Sequence, residues 1–85
     1  MVKVEIYMRD FCGFCRAAEQ LLKNKGIEYE RINIWKDSKR KSEMIERSKG
    51  KSTVPQIFIN NNHVGGCDNL FALEKAGRLD GLLAR

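Results

Sequence analysis

Val2-Lys3-Val4-Glu5-Ile6-Tyr7, then Phe11-Cys12-Gly13-Phe14-Cys15, then Ala17, Ala18, Leu21 and Leu22: this stretch carries the pattern of a strand, a turn with two cysteines and a helix. In its first part Val2, Val4 and Ile6 alternate with Lys3, Glu5 and Tyr7, the period of a strand. In its last part Phe14, Ala17, Ala18, Leu21 and Leu22 stand at i, i+3, i+4, i+7 and i+8, the stripe of an amphipathic helix, and Gly26 after Lys23 and Lys25 stops it. Both cysteines of the Cys-x-x-Cys pair therefore fall on a strand-to-helix turn. The unpaired N–H groups of a helix's first turn, together with the macrodipole, stabilise negative charge there. A thiol so placed has its pKa lowered from about 8.5 into the range of about 3.5–7.5, which makes Cys12 a thiolate, the reactive form, at neutral pH. Cys15, one turn later and closer to the interior, keeps its proton.

Two other uses of the pair stand beside this one. Cys-x-x-Cys is also half of a common zinc pattern, and His63 with Cys67 completes a count of four ligands. The helical and strand patterns between them make the interval far longer than a usual zinc-ligand spacing. A structural disulfide is the other use. The N-terminus runs from Met1 straight into a strand with no basic-then-apolar leader, and no apolar stretch approaches the roughly 20 residues that span a bilayer, so a cytoplasmic protein without membrane contact is expected. Structural disulfides are rare in that compartment, whereas Cys-x-x-Cys near a β-α-β pattern reads as redox-active.

Outward from this stretch the pattern continues. Ile27, Tyr29, Ile32 and Ile34, closed by Trp35, read as a second strand, which completes a β-α-β unit with a parallel pair. Asp37 or Ser38 caps a mostly exposed helix over Ser38–Ser48, whose strong apolar residues are Met44 and Ile45. After the polar linker Lys49-Gly50-Lys51-Ser52 and Thr53-Val54-Pro55-Gln56, the run Ile57-Phe58-Ile59 turns at Asn60-Asn61-Asn62 and returns through His63-Val64 to Gly65-Gly66, a β-hairpin. Asp68 or Asn69 caps a third helix through Leu70, Phe71, Leu73 and Ala76 to Gly77, and Asp80 caps a last short turn with Leu82 and Leu83.

The 85 residues leave room for a single domain, residues 1–85. A hydrophobic fraction of 42% and a charged fraction of 32% are those of a soluble globule, which excludes disordered and membrane-embedded classes. The net charge of +5 favours an anionic partner. The densest basic run, Lys36, Lys39, Arg40 and Lys41, reads as a solvated helix start, and the aromatic-and-basic strand pattern of a nucleic-acid binder is missing, so no nucleic acid is expected.

The order β-α-β-α-β-β-α, an α/β arrangement with a four-stranded mixed sheet flanked by helices, is that of the minimal thioredoxin fold. In its motifs the chain resembles the glutaredoxins along essentially its whole length: the opening strand ending Ile6-Tyr7, Cys12-x-x-Cys15, Thr53-Val54-Pro55-Gln56, and Gly65-Gly66-Cys67-Asp68. The resemblance implies a dithiol, glutathione-dependent thiol–disulfide oxidoreductase that reduces protein disulfides and glutathione mixed disulfides. Cys12 is then the nucleophile and Cys15 the resolving thiol, with glutathione as co-substrate, no tightly bound cofactor, and a monomer as the working form.

It also implies a binding site for the tripeptide, with the glutathione sulfur beside Cys12 and its backbone paired with Val54 ahead of a cis Pro55. Gly66, Cys67 and Asp68 meet the γ-glutamyl end, the Gly65-Gly66 pair permitting close backbone approach. Arg9, Gln56 and one of Arg40 or Lys41 meet the glycine carboxylate, and Phe14 and Thr53 line the same site. The centre departs from the commonest Cys-Pro-Tyr-Cys: Gly13 replaces the proline and Phe14 the tyrosine, as in the monothiol branch, whose extended loop is missing here. In glutaredoxins lacking that proline, two chains can share a two-iron cluster through their leading cysteines and two glutathiones. An iron–sulfur site with Cys12 as ligand is therefore the alternative of a different class; otherwise no metal is expected. His63 reads as solvated and Cys67 as a small buried hydrophobe.

Overall fold

The computed structural model describes residues 2–84. Strand β1 (Val4–Met8) is followed by helix α1 (Gly13–Asn24), β2 (Glu30–Asn33), α2 (Ser38–Arg47), β3 (Gln56–Ile59), β4 (Asn62–Gly65), α3 (Cys67–Lys75) and a short α4 (Leu79–Leu82). The sheet order is β2-β1-β3-β4, with β1 parallel to β2 and antiparallel to β3, and β3 antiparallel to β4. This is the expected thioredoxin-type α/β fold. The hairpin turn has Asn60 at φ 51° and Asn61 at φ 66°. Two successive residues at positive φ match a primed turn, whose twist suits paired strands and which asparagine tolerates better than most residues.

Each face of the sheet has its own core. On one, Val4 and Ile6 of β1 and Ile57 and Ile59 of β3 meet Ala18 and Leu22 of α1, Leu70 of α3, and Leu79 and Leu83 around α4. On the other, Tyr7, Ile32, Ile34 and Phe58 lie against Met44 of α2. Strand β1 is consequently buried along its whole length, Glu5 and Tyr7 included. Its alternation separates two buried faces rather than a dry face from a wet one. Arg47 of α2 makes this possible: its guanidinium donates to both Glu5 carboxylate oxygens, at 3.1 and 3.0 Å, and to Tyr7 Oη at 2.8 Å. It also lies 4.0 Å from the Phe58 ring centroid. Tyr7 in turn donates to Glu43.

Three details differ from the sequence reading. The buried stripe of α1 is Cys15, Ala18, Glu19 and Leu22, one position on from the stripe expected to start at Phe14, which is exposed along with Ala17. A carboxylate can occupy this stripe because Glu19 accepts from Arg31 Nε at 2.6 Å and from Tyr29 Oη at 2.9 Å, which also fastens α1 to β2. Helix α3 is capped by Gly66 rather than Asp68 or Asn69, since Asn69 reaches back from the helix's first turn to accept the Gly66 N–H at 3.0 Å. In the final turn Leu79 and Leu83 are buried while Leu82 is exposed, because the turn starts before Asp80. Asp37 caps α2 as expected, accepting the Lys39 N–H at 3.0 Å.

Candidate active site

The site begins where β1 runs out. Past Met8 the chain turns through Arg9, Asp10 and Phe11, the last at φ 55°, and enters α1 with Cys12 as an extended N-cap. The Cys12 sulfur accepts the Cys15 N–H at 3.2 Å, so it sits at the helix N-terminus where charge on sulfur is stabilised. The Cys12 and Cys15 sulfurs are paired, with their Cα atoms 5.2 Å apart. Cys12 is 6% and Cys15 1% exposed, so the leading sulfur is the more accessible of two shielded groups. Met8 and Val54 pack against both.

The Val54-Pro55 peptide is cis. Among the described residues neither the N–H nor the C=O of Val54 has a hydrogen-bond partner. The loop is held from below by Gln56, whose side chain is buried and donates to Thr53 O at 3.0 Å and to Thr53 Oγ1 at 3.2 Å. Gln56 Oε1 lies 2.6 Å from His63 Nε2. Burial, followed by the nearby charges of Lys51, Arg47 and Lys49, holds the His63 pKa below its ordinary value, so its neutral ring donates from Nε2. His63 is exposed by residue area, yet it fastens the hairpin to the cis-proline loop.

The start of α3 closes the other side. Gly65 has φ +119°, and a Cβ there would lie 2.4 Å from Asn69 Oδ1, so glycine is required on both counts. A Cβ on Gly66 would lie 3.4 Å from Pro55 O, which sets how closely the helix start approaches the loop. Between them lies a groove of about 210 Å³ lined by Phe14, Lys51, Thr53, Val54, Pro55, Gln56, Gly66, Cys67, Asp68 and Asn69. Eight residues named from the sequence are thus brought together, and Lys51 and Asn69 join them. Lys51 read only as part of a polar linker; its one signal was its place two residues ahead of Thr53-Val54-Pro55.

Arg9, Arg40 and Lys41 do not line this groove. Arg9 donates to the carbonyls of Asp10 and Phe11 at 2.9 and 3.0 Å, and its guanidinium stands 5.2 Å from the Trp35 ring centroid. Arg40 is engaged by Glu43 at 3.2 Å and Glu30 at 3.8 Å, and Lys41 is exposed on α2. Cys67 is half-buried, and burial, with the Asp68 carboxylate beside it, pushes its thiol pKa up. Among the described residues no three His, Cys, Asp or Glu side chains gather as a metal site, so His63 and Cys67 do not join the cysteine pair around zinc.

A vicinal cysteine pair at a helix N-terminus, packed against a cis-proline loop on this sheet, defines a thiol–disulfide oxidoreductase of thioredoxin fold. The comparisons with known proteins narrow the class. The Glutaredoxin family model matches residues 4–64. Glutaredoxin 3 of Escherichia coli K12 is 47% identical over 83 residues, covering 98% of this chain and 99% of that protein. Glutaredoxin 1 of Rickettsia prowazekii is 53% identical over 79 residues, covering 92% of this chain and 83% of that protein. The solution structure of glutaredoxin from Brucella melitensis superposes with a TM-score of 0.84 at 51% identity, covering 98% and 89% of the two chains. A buckwheat glutaredoxin–glutathione complex gives 0.86 at 26% identity, covering 94% and 74%. The chain belongs to the glutaredoxin family. Among its described residues no helix is long and apolar enough to cross a membrane.

Proposed function

We propose that this oxidoreductase draws its electrons from glutathione and that the Val54–Asp68 groove is where the tripeptide binds. The observation that carries the reading is the groove itself, which collects Phe14, Thr53, Val54, Pro55, Gln56, Gly66, Cys67 and Asp68 beside the redox pair. The unpartnered N–H and C=O of Val54 suit an extended peptide added as a short strand. Asp68 offers a carboxylate for the γ-glutamyl ammonium. Of the available cations, Lys51 lines the groove and Arg9 stands nearest Cys12 in sequence, whereas Arg40 is already held by carboxylates. The buckwheat relative, solved as a glutathione complex, supports the same ligand.

The chemistry is two exchanges. Cys12 thiolate attacks the glutathionyl sulfur of a mixed disulfide, a Cys12–glutathione bond forms, and the target thiolate leaves and takes a proton from water. The thiolate of a second glutathione attacks the glutathionyl sulfur on Cys12, releasing oxidised glutathione and restoring the Cys12 thiolate. For a protein disulfide, Cys15 attacks the Cys12 sulfur of the mixed disulfide and frees the second substrate thiol, leaving the paired state seen here. Family potentials of about −200 to −230 mV suit exchange with the glutathione pool. The protein works as a cytoplasmic monomer, one domain over residues 1–85. Cys12→Ser abolishes turnover of a glutathione mixed disulfide with glutathione as reductant. Turnover by that variant, or by the wild type only with thioredoxin reductase, would overturn the proposal.

A second reading, a two-iron cluster shared by two chains through Cys12 and two glutathiones, is favoured by Gly13. That residue is exposed, and apart from its chain neighbours and its own helix backbone no heavy atom lies within 4 Å of where its Cβ would stand, so the surface beside Cys12 is open. Anaerobic reconstitution with iron, sulfide and glutathione decides it: a brown dimer that loses colour in Cys12→Ser supports the cluster, a colourless monomer eliminates it.

A further inference from the structure

A second concavity, of about 690 Å³, opens beside the redox pair and shares no lining residue with the Val54–Asp68 groove. Cys12 and Cys15 form part of its wall, with Arg9 and Phe11 of the preceding turn and Arg16 and Lys23 of α1. Apart from Cys12, Cys15 and Arg9, its residues have no part in the glutathione chemistry. Phe11 of its wall is 92% exposed, and Trp35, outside the wall and 58% exposed, has its ring centroid 6.4 Å from that of Phe11. Phe11 is held at φ 55°, a conformation uncommon outside glycine that gathers at functional sites. The Arg9 guanidinium, fixed by the Asp10 and Phe11 carbonyls, stands 5.2 Å from the Trp35 ring centroid, so the platform is built before anything binds.

Cations outnumber carboxylates in this concavity, Arg9, Arg16, Lys23 and Arg31 against Asp10 and Glu19. Glu19 is paired with Arg31 at 2.6 Å, and Asp10, which accepts from the neutral Asn33 amide at 3.0 Å, keeps its charge against those of Arg9, Arg16 and Lys23. Arg16 and Lys23 are exposed and form no ion pair among the described residues. They are two helical turns apart on one face of α1, separated by about 10 Å along the axis at 1.5 Å per residue. An extended peptide advances about 3.3 Å per residue with alternate side chains on opposite faces, so two same-face side chains four residues apart span about 13 Å, within reach of these two long, flexible side chains.

We propose that this concavity docks the polypeptide of a protein disulfide substrate: an extended acidic segment. One apolar or aromatic side chain lies against Phe11 and Trp35, and two carboxylates four residues apart, on one face of the segment, meet Arg16 and Lys23. The segment presents its disulfide to Cys12 from this side while glutathione uses the other groove. The inference rests on the glutathione reading for its reductant. In the docked complex Cys12 thiolate breaks the substrate S–S bond and forms a mixed disulfide, and the departing substrate thiolate takes a proton from water. Cys15, giving its proton to water, then displaces the second substrate sulfur, which is protonated as it leaves. Two electrons have moved from the dithiol to the substrate, and two glutathiones return them while becoming one oxidised glutathione.

Trp35 is the only tryptophan of the chain, so its fluorescence reports docking without any turnover. The probes are two peptides of equal length, each with a leucine and a serine in place of the reactive cysteine, differing only in two glutamates or two glutamines four residues apart. Titrated into reduced protein, the glutamate peptide shifts Trp35 emission at about tenfold lower concentration than the glutamine peptide, and 1 M salt removes the difference. Lys23→Gln narrows the preference by about threefold, and Phe11→Ala weakens both peptides alike. In parallel, Lys23→Gln leaves turnover of a small glutathione mixed disulfide unchanged, because the residue is about three turns from Cys12. Equal binding of the two peptides, or no emission change with either, overturns the docking proposal while leaving the glutathione reading intact. Failure of glutathione to support turnover sinks that reading while the emission titration still judges the groove.

Discussion

Cys12 and Cys15 are separated by three positions and by a difference in access that assigns their roles. Cys12 is the N-cap and 6% exposed, whereas Cys15 is 1% exposed and its N–H points at the Cys12 sulfur. Only the first sulfur can be approached by a bulky disulfide; the second is placed to attack the first. Cys15→Ser is therefore expected to keep deglutathionylation within about twofold while reducing a protein disulfide at least about tenfold more slowly. Parallel kinetics on the two substrate types check this, and equal loss of both activities would remove the division of roles. Cys67 is chemically quieter. Burial first, and then the Asp68 carboxylate, raise its pKa, so at any given pH less of it is thiolate than of an unperturbed cysteine. With the Cys12–Cys15 pair oxidised, iodoacetamide is expected to label the protein at pH 7 more slowly than a cysteine peptide and to accelerate as the pH rises towards 10. Mass spectrometry reads the extent, and labelling at the peptide's rate would contradict the assigned environment.

At the scale of elements, the strands and helices were legible because their periods are, whereas the partners of their charged residues were not. β1 shows this best. Its alternation identified the strand, but no sequence pattern reveals that Glu5 is paired in the interior, since Arg47 lies 42 residues away on a helix. The same holds for Glu19, whose partners Tyr29 and Arg31 come from the chain entering the neighbouring strand. The Glu5–Arg47 pair is bidentate, with Glu5 about 7% exposed and Arg47 about 24%. Glu5→Ala leaves the guanidinium against Tyr7 and Phe58 without its carboxylate and is expected to cost about 2 kcal/mol, a Tm drop of roughly 8–16 °C for a domain of this size. The double variant Glu5→Leu with Arg47→Met loses less than the sum of the single changes, because no buried charge is stranded. Thermal unfolding of the four proteins closes the cycle, and additive losses would show that the two side chains act independently.

For the molecule as a whole, the two sheet faces are closed by different physics. Helices α1 and α3 seal one with aliphatic side chains, Ala18, Leu22 and Leu70 being fully buried. Helix α2 seals the other with Met44 as its one buried side chain, supplemented by the polar contacts of Glu43 and Arg47. The redox site is built on the better-sealed side, from the start of α1, the start of α3 and the loop before β3. This explains why the site could be gathered from local motifs: each motif begins or ends an element of the same layer. Arg40, assigned from motif position alone, lies instead on α2 and answers to Glu43 and Glu30. A layer held by Met44, the half-buried Ile45 and a few charge-assisted hydrogen bonds opens at lower free energy than one held by continuous aliphatic contact. Native-state hydrogen exchange is therefore expected to show the amides of Ser38–Arg47 exchanging through a partial opening, while Val4–Met8, Gln56–Ile59 and the middle of α1 exchange only on global unfolding. Glu5→Ala should bring the α2 opening down further and leave the gap between α1 and global unfolding unchanged, since Glu5 contacts α2 through Arg47. If α2 and α1 exchange with the same free energy in the wild type, the two layers form one cooperative unit and the asymmetry of their cores has no dynamic consequence.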